Sequence, residues 1–291
     1  MKVAVYSLYY PEKTSECFDE LIHVLRKNKV DIHVETKFYE QLVSKVKKID
    51  SIQTFSELNE SFDLLISVGG DGTILRAITF VRDFSIPIVG INTGRLGFLA
   101  TIQTDDIEAA IEHILNGNYK TSERTLLSVE TNPKNEGLKE TNFALNEIAV
   151  SRKNTTSMIT VETHLNDEYL TSYWADGLIV STPTGSTGYS LSCAGPVITP
   201  DANSFVLTPI APHNLNARPL VIRDDTTIQL KVDGRENQHL MSLDSRIVTL
   251  SNATIITIKK ANFKIKMVEL LNESFIDTLR QKMLWGEDKR N

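Results

Sequence analysis

The sequence predicts an α/β domain with a parallel, Rossmann-like sheet, then a β-rich domain, and finally a terminal helix that packs back on the first domain. Apolar strand-like runs alternate with amphipathic segments up to about residue 120, a pattern typical of parallel sheets. Short alternating segments separated by turn residues follow, which indicates antiparallel β-structure. We therefore expect domains at residues 1–120 and 121–270, with the returning helix at 271–291.

Hydrophobic spacing assigns the elements of the first domain. Runs of branched apolar residues predict strands at 2–8, 30–34, 64–68 and 86–91. Apolar residues at helical spacing predict helices at 15–25, 38–46 and 73–81, and a weaker pattern predicts one at 47–59. Segment 105–116 is the clearest helix, because Thr104 precedes it as an N-cap residue, Asp105 and Asp106 lie in its first turn, and Gly117 ends it.

The second domain shows alternating patterns bounded by turn residues such as Asn166-Asp167. They predict strands at 125–131, 143–150, 159–165, 169–174, 178–181, 205–210, 226–232, 246–250, 254–258 and 263–268. Apolar residues on one side of 273–285 predict the terminal helix.

Composition narrows the function classes. The chain has 291 residues, 41% of them apolar, and a formal net charge of -6, which argues against nucleic-acid binding by phosphate neutralisation. No basic cluster or long apolar stretch suggests a membrane contact, so we expect a cytoplasmic protein. Two cysteines give no disulfide framework, and no C-x-x-C or H-E-x-x-H pattern suggests a zinc site.

The main candidate site is the loop that follows the strand at 64–68. Its sequence is Gly69-Gly70-Asp71-Gly72-Thr73, and an amphipathic helix comes next. Glycines between a strand and a helix let a phosphate approach the backbone N–H groups at the helix N-terminus. Asp71 is unfavourable beside a phosphate unless a metal ion offsets its charge or it takes part in the chemistry. The alternative is a tight turn in which Asp71 only caps the helix.

Two further glycine-rich segments are candidates for the same site. Residues 90–99 follow their strand as the first loop does, and Arg95 there is either a phosphate or carboxylate contact or a solvated surface residue. Residues 175–190 collect hydroxyls and small side chains around Tyr189, which suits a pocket for a flat polar ligand.

Absent motifs limit the chemistry further. The chain has no G-x-x-x-x-G-K-[ST], and the Gly70-Asp71-Gly72 loop lacks the third glycine of the dinucleotide fingerprint. It also has no kinase H-R-D or D-F-G set and no G-x-S-x-G elbow.

Taken together, these blocks resemble the NAD kinase family. The match includes residues 69–73, 90–99, Asn146-Glu147 and 176–192, in that order, with further likeness at 209–213 and 218–220. The first loop alone is similar to that of diacylglycerol and sphingosine kinases and 6-phosphofructokinases. The resemblance implies an α/β domain, a β-rich domain, an active site between them, and a homodimer or homotetramer.

The resemblance also implies roles for individual residues. The reaction would be the phosphorylation of the adenosine 2′-hydroxyl of NAD by ATP and Mg²⁺ to give NADP, and Asp71 would accept the proton of that hydroxyl. The phosphate-binding residues would be Gly69, Gly70, Gly72, Thr73 and Arg95. The NAD-binding residues would be Asp71, Gly72, Asn146, Glu147, Asp176, Thr187, Gly188, Tyr189, Ser190, Leu191, Ser192 and Ala211. Asn146 and Glu147 would bind ribose hydroxyls, and Asp176 the nicotinamide end.

Within this resemblance, Mg²⁺ arrives on the phosphates, and no protein side chain is expected to ligate it. Two positions differ from common family members. Trp174 stands where many carry a basic residue, and Gly188 stands where many carry alanine.

Two other functions remain open at this stage. A lipid kinase could use the same loop, and its only candidate membrane surface is the terminal helix with Lys282, Trp285, Lys289 and Arg290. A sensor that binds the dinucleotide without turnover is the second alternative, although a pure binder has no evident use for Asp71.

Overall fold

The computed structural model describes residues 1–8, 12–45, 52–154, 157–214, 216–271 and 273–284. Compactness divides the chain into unit 1, Met1–Glu123 with Ile265–Asn291, and unit 2, Arg124–Lys264. The helices are α1 (Glu12–Lys27), α2 (Thr36–Lys45), α3 (Asp71–Val81), α4 (Ile107–Leu115), α5 (Tyr189–Ser192) and α6 (Phe275–Met283). No helix in the described part of the chain is long and apolar enough to cross a membrane.

Unit 1 contains the predicted parallel sheet. Its strands are β1 (Lys2–Tyr6), β2 (Asp31–Glu35), β3 (Gln53–Phe55), β4 (Leu64–Val68), β5 (Ile88–Asn92) and β6 (Ile102–Gln103). They lie in the order β3-β2-β1-β4-β5, with β6 beside β5, and every pair is parallel. This is the order of a doubly wound sheet, whose ligands bind at the carboxyl ends of the strands.

The core of unit 1 explains why these segments form a sheet covered by helices. Every residue of β4 and β5 is buried, as expected for central strands of a parallel sheet. The core joins these strands to the apolar faces of α1 and α4. The predicted return of the terminal helix is confirmed, since α6 belongs to unit 1 and its Phe275 ring lies 6.2 Å from that of Phe98.

Two local expectations in unit 1 are wrong. Of the predicted helix at 47–59, residues 47–51 lie outside the described part, and Gln53–Phe55 form β3 instead. Parallel pairing with β2 and the packing of Phe55 against Phe62 and Phe80 override the weak local pattern. Helix α4 begins after a 3-10 turn at Thr104–Asp106, so Thr104 is not its N-cap residue.

Unit 2 is the predicted β-rich part. Its strands are β7 (Tyr119–Asn132), β8 (Phe143–Ala144), β9 (Glu147–Arg152), β10 (Ile159–Leu165), β11 (Glu168–Ala175), β12 (Gly177–Ser181), β13 (Ser204–Ile210), β14 (Leu220–Arg223), β15 (Ile228–Gly234), β16 (Gln238–Leu243), β17 (Arg246–Ser251) and β18 (Ile255–Leu270). Strands β7 and β18 run past the unit boundary along the chain. The sequence did not predict β14 or β16, and the two strands expected at 254–258 and 263–268 are one, β18.

Antiparallel pairing organises unit 2 into two layers around one core. One sheet has the order β14-β13-β12-β9-β16-β17, and β11, β10, β15 and the first part of β18 pair consecutively in the other. The candidate residues Asn146 and Glu147 lie at the start of β9, and the hydroxyl-rich segment follows β12, its neighbour.

Candidate active site

The loop 69–73 connects the buried strand β4 to α3. Helix α3 begins at Asp71, and Gly70 holds the N-cap position without a side-chain cap. The interpretation of Asp71 as an N-cap residue is therefore wrong. Gly70 and Gly72 are exposed, and the N–H of Thr73 donates to the Gly70 carbonyl at 2.9 Å. The first N–H groups of a helix lack intrahelical acceptors, so this turn can receive an anion.

The Asp71 carboxylate is fixed by a second loop of unit 1. Its Oδ2 accepts the N–H of Phe98 at 2.8 Å, and its Oδ1 accepts those of Leu99 and Ala100 at 3.0 Å each. A Cβ on Gly97 would lie 1.9 Å from Oδ1, so this approach requires glycine. A carboxylate has about four lone-pair sites. Among the described residues, Oδ2 accepts one such bond and keeps a site for another donor.

Asn92 holds the second loop in shape. Its side-chain amide donates to the carbonyls of Arg95 at 2.7 Å and Ala100 at 3.3 Å, and its Oδ1 accepts the N–H of Gly94 at 2.8 Å. Asn92 is 2% exposed, whereas Arg95 is exposed. The structure thus brings Asp71 and the loop 92–100 together, with the Arg95 side chain on the surface.

In unit 2, the single strand expected at 143–150 is interrupted at Leu145 and Asn146, between β8 and β9. At the interruption three consecutive N–H groups donate to the carboxylate of Asp244. Oδ2 accepts Leu145 at 3.0 Å, and Oδ1 accepts Asn146 at 2.8 Å and Glu147 at 3.2 Å. Burial raises the pKa of Asp244, and these donors together with Arg246 oppose that rise.

The carboxyl group of Glu147 is buried beside this interruption. Burial, with a smaller contribution from Asp244, raises its pKa to about 8, and a bond from the backbone N–H of Tyr189 opposes the rise. Near pH 7 the carboxyl is therefore mostly neutral and can both donate and accept hydrogen bonds. Within the described residues, Glu147 Oε2 and Asn146 Oδ1 are buried without a hydrogen-bond partner. Buried polar atoms without partners call for an explanation, and a bound ligand that supplies the missing hydrogen bonds is one.

Gly188 lies against this pair. A Cβ there would be 3.1 Å from Glu147 Oε2 and 3.4 Å from Asn146 Nδ2, whereas a Cβ on Gly185 would be 2.0 Å from the Asn146 carbonyl oxygen. The glycine at 185 is thus sterically required. An alanine at 188 needs small shifts of the Glu147 side chain and of the Gly185 carbonyl group, whose oxygen would lie 3.2 Å from its Cβ.

The hydroxyl-rich segment has an inner and an outer set of side chains. Thr182, Ser186 and Ser190 are 0% exposed, and their hydroxyls bond within unit 2, that of Ser190 to Thr208 at 2.8 Å. These hydroxyls hold the turn together.

The outer set presents the polar surface that the sequence suggested. Thr187, Gly188 and Leu191 are half-buried, Ser192 is exposed, and Tyr189 is 45% exposed. Because α5 begins at Tyr189, an N–H of its first turn reaches the Glu147 carboxyl group.

Asp176 is paired with a cation that the sequence did not indicate. Its Oδ2 lies 2.9 Å from Nη2 of Arg152, at the end of the neighbouring strand β9. Trp174 is 50% exposed, and its ring lies 4.3 Å from that of His213. Ala211 is exposed after β13 with φ of 43°.

Sequence reasoning missed Asn92, Arg152 and Asp244. A polar residue that ends an apolar parallel strand was an available signal for Asn92. Asp244 gave none, because an aspartate in a hairpin turn is ordinary. The described residues contain no group of three His, Cys, Asp or Glu side chains that could hold a metal ion.

Comparison with known sequences identifies the family. The profile of the ATP-NAD kinase N-terminal domain matches residues 10–119, and that of the ATP-NAD kinase C-terminal domain matches residues 145–270. The chain belongs to the ATP-NAD kinase family. The resemblance drawn from the motifs is thereby confirmed.

Two bacterial NAD kinases are similar to this chain over their whole length. An NAD kinase of Flavobacterium johnsoniae is 57% identical over 294 residues, and one of Bacteroides fragilis is 43% identical over 291 residues. Both matches cover 100% of each chain.

Solved structures of the family have the same fold. Yeast NADH kinase complexed with NADH gives a TM-score of 0.86 at 22% identity, covering 99% of this chain and 88% of that one. An NAD kinase from Archaeoglobus fulgidus in complex with ATP gives 0.76 at 26% identity, covering 98% and 99%. The predicted fold class, an α/β domain with a β-rich domain and a terminal helix, is confirmed.

Proposed function

We propose that this chain transfers the γ-phosphoryl group of ATP to the adenosine 2′-hydroxyl of NAD, forming NADP and ADP. One observation carries the proposal. Asp71 is the first residue of α3, between the exposed Gly70 and Gly72, and three backbone N–H groups of the second loop fix its carboxylate. A phosphoryl transfer needs positioned groups and charge neutralisation more than covalent catalysis by the protein. A fixed base beside an anion-binding turn meets that need.

In the proposed reaction the 2′-oxygen bonds to the γ-phosphorus while the bond from phosphorus to the β,γ-bridging oxygen breaks. The hydroxyl proton passes to Asp71 and ADP leaves. Because an alcohol is a far weaker acid than a carboxylic acid, the proton moves only as the new bond forms. The remaining acceptor site on Oδ2 is the one we assign to this proton.

The phosphates are bound by Gly69, Gly70, Gly72 and Thr73, with Arg95 as an exposed cation at the second loop. We propose that Mg²⁺ enters with ATP as part of the substrate, where it neutralises the charge of the phosphates. Magnesium is commonly held by phosphate oxygens and water rather than by a cage of side chains.

The nucleoside is bound by unit 2. Asn146 and Glu147 bond ribose hydroxyls through the buried atoms Oδ1 and Oε2, which have no partner among the described residues. Thr187, Tyr189 and Ser192 surround the adenine, and Asp176 meets the nicotinamide end. Gly188, Ser190, Leu191 and Ala211 complete the NAD-binding set.

Two properties of the whole protein complete the proposal. It works in the cytoplasm, and it assembles as a homodimer or homotetramer. Light scattering from a sizing column measures the assembly directly.

The decisive experiment is an assay of NADP formation by Asp71→Asn. Asparagine keeps the volume and one acceptor oxygen but is not a base, so we expect at least a roughly 100-fold loss of turnover with the fold retained. Asp83→Asn, at an exposed position after α3, is the matched control and should keep wild-type activity. Near wild-type turnover of the Asp71 variant would exclude it as the base.

The same assay separates the alternatives. Because Asp71 holds the loop 98–100 in place, it would have a structural role even in a protein that only binds NAD. NADP formation by the wild type would therefore exclude the sensor. Tight NAD binding in calorimetry without NADP formation would identify a sensor.

The lipid kinase would need the terminal helix as its membrane surface. Lys282 of that helix lies 5.0 Å from the Phe98 ring of the same unit, and residues 285–291 are outside the described part. Strong co-sedimentation with liposomes would favour that function.

A further inference from the structure

Asp244 lies in the two-residue turn between β16 and β17, and its side chain is 0% exposed. Its backbone has a φ of 51°, in the left-handed region that glycine adopts most easily. Aspartate tolerates this conformation, so the turn alone does not account for the burial of its side chain. A buried carboxylate is unfavourable without strong partners, which indicates that the function of this carboxylate lies in the bonds it accepts.

Among the described residues, the carboxylate of Asp244 accepts three backbone hydrogen bonds, all from the place where the predicted strand 143–150 is interrupted. The donors are the N–H groups of Leu145, Asn146 and Glu147, at 2.8–3.2 Å. In return, the N–H of Asp244 donates to the Glu147 carbonyl at 3.0 Å. The turn therefore takes the place of β16 beside these residues, since the pairing of β9 with β16 begins only at Ile148.

Arg246 strengthens the same contact from the other side. Its guanidinium donates to the carbonyl of Thr141 at 2.6 Å and to that of Phe143, and Nη2 lies 3.6 Å from Asp244 Oδ2. The segment 141–147 is thus held through its backbone by one hairpin turn, and none of these bonds uses the side chain of Asn146 or Glu147.

We propose that Asp244 is a positioning residue for NAD binding, which holds Asn146 and Glu147 in the one backbone conformation that presents Asn146 Oδ1 and Glu147 Oε2 to the ribose. This inference rests on the proposed function, in which those two side chains bind NAD. Asp244 itself touches no substrate.

The test compares Asp244→Asn, Asp244→Gly and the control Asp224→Asn in steady-state kinetics of NADP formation. Asparagine keeps the volume, but its amide nitrogen only donates, so at least one of the three N–H groups loses its acceptor. Glycine relieves the left-handed backbone and removes the carboxylate entirely. Asp224 is also buried in unit 2, at 7% exposure, but it pairs with Lys260 instead.

We expect both Asp244 variants to raise the KM for NAD roughly tenfold to a hundredfold, with kcat at saturating NAD and the KM for ATP within about threefold of the wild type. Thermal unfolding of each variant, followed by circular dichroism, establishes that it is folded at the assay temperature. Asp224→Asn should leave the KM for NAD unchanged.

A wild-type KM for NAD in Asp244→Gly overturns the inference, since the turn alone would then suffice. An equal loss of kcat in the Asp244 and Asp224 variants, without a change in KM, overturns it as well by indicating general damage. If the wild-type protein itself forms no NADP, the proposed function fails and the inference fails with it.

Discussion

Two aspartates of this chain perform the same task on different loops. Asp71 accepts the N–H groups of three consecutive residues, 98–100, and Asp244 accepts those of residues 145–147. Backbone N–H groups outside a helix or ladder need an acceptor when they are buried. A carboxylate satisfies several at once, so each aspartate fixes a candidate binding segment without adding secondary structure.

The ionisation of Glu147 depends on its burial beside Asp244. Its carboxyl group combines burial, the nearby Asp244 and an unpartnered oxygen in the described residues, and its pKa rises from 4.5 to about 8. A raised pKa means that the folded state binds more protons than the unfolded state between these two values. The stability that Glu147 contributes is therefore complete below about pH 4.5 and lost as the pH rises through about 8.

We expect Glu147→Gln, which mimics the neutral form, to remove this pH dependence. Between pH 5 and pH 8.5 the free energy of unfolding of the wild type should fall relative to the variant, by an amount of the order of a few kcal/mol. Urea unfolding at several pH values measures the difference, with the exposed Glu168→Gln as the control. Parallel pH curves for wild type and Glu147→Gln would contradict the assignment.

At the scale of elements, segments at the ends of neighbouring strands form the candidate sites. In unit 1 the segments after β4 and β5 meet through Asp71, and in unit 2 the start of β9 meets the segment after β12. Each contact depends on a close approach that a larger residue would block. Gly97 is the sharpest case, since it is buried directly against the Asp71 carboxylate.

Gly97→Ala is predicted to displace the Asp71 carboxylate, although Gly97 itself is assigned no ligand contact. Its Cβ would lie 1.9 Å from Oδ1, so the carboxylate must move, and a misplacement of about 1 Å can cost roughly 100-fold in rate. We expect NADP formation to fall at least about tenfold.

Gly94→Ala in the same loop provides the matched control. Its Cβ would meet Asn92 Oδ1 at 3.7 Å, an ordinary contact, so activity should stay within about twofold of the wild type. Equal kcat values for the two variants, both folded, would show that the N–H groups of residues 98–100 do not set the position of Asp71.

At the scale of the whole molecule, the two units carry different parts of the proposed reaction. Unit 1 supplies the base and the phosphate turn, and unit 2 supplies the side chains for the nucleoside. Each ligand that binds only the folded protein stabilises it by RT ln(1 + [L]/Kd), about 2.7 kcal/mol at a hundredfold excess over Kd. The two substrates can therefore be followed separately by thermal unfolding.

Asn146→Ala should abolish the rise in melting temperature caused by NAD while leaving that caused by Mg-ATP, because Asn146 Oδ1 is assigned to the ribose of NAD alone. Asn135→Ala, which removes a cap on the N–H of Gly137, serves as the control and should respond to both ligands. A full NAD response in Asn146→Ala would remove Asn146 from the proposed site. Differential scanning fluorimetry with each ligand gives the measurement.

The sequence by itself determined the parallel sheet of unit 1, the β-rich unit 2, the glycine loop at a strand end, and the family. These features depend on local spacing, on short motifs and on their order along the chain. Tertiary structure alone decided the partners of Asp71, which are 27–29 residues away, and those of Asp244, which are 97–99 residues away. It also decided that residues 143–150 break into two strands and that Gln53–Phe55 pair as a strand. Hydrogen bonds between distant residues leave no local periodicity, so only the folded chain reveals which aspartate fixes which loop.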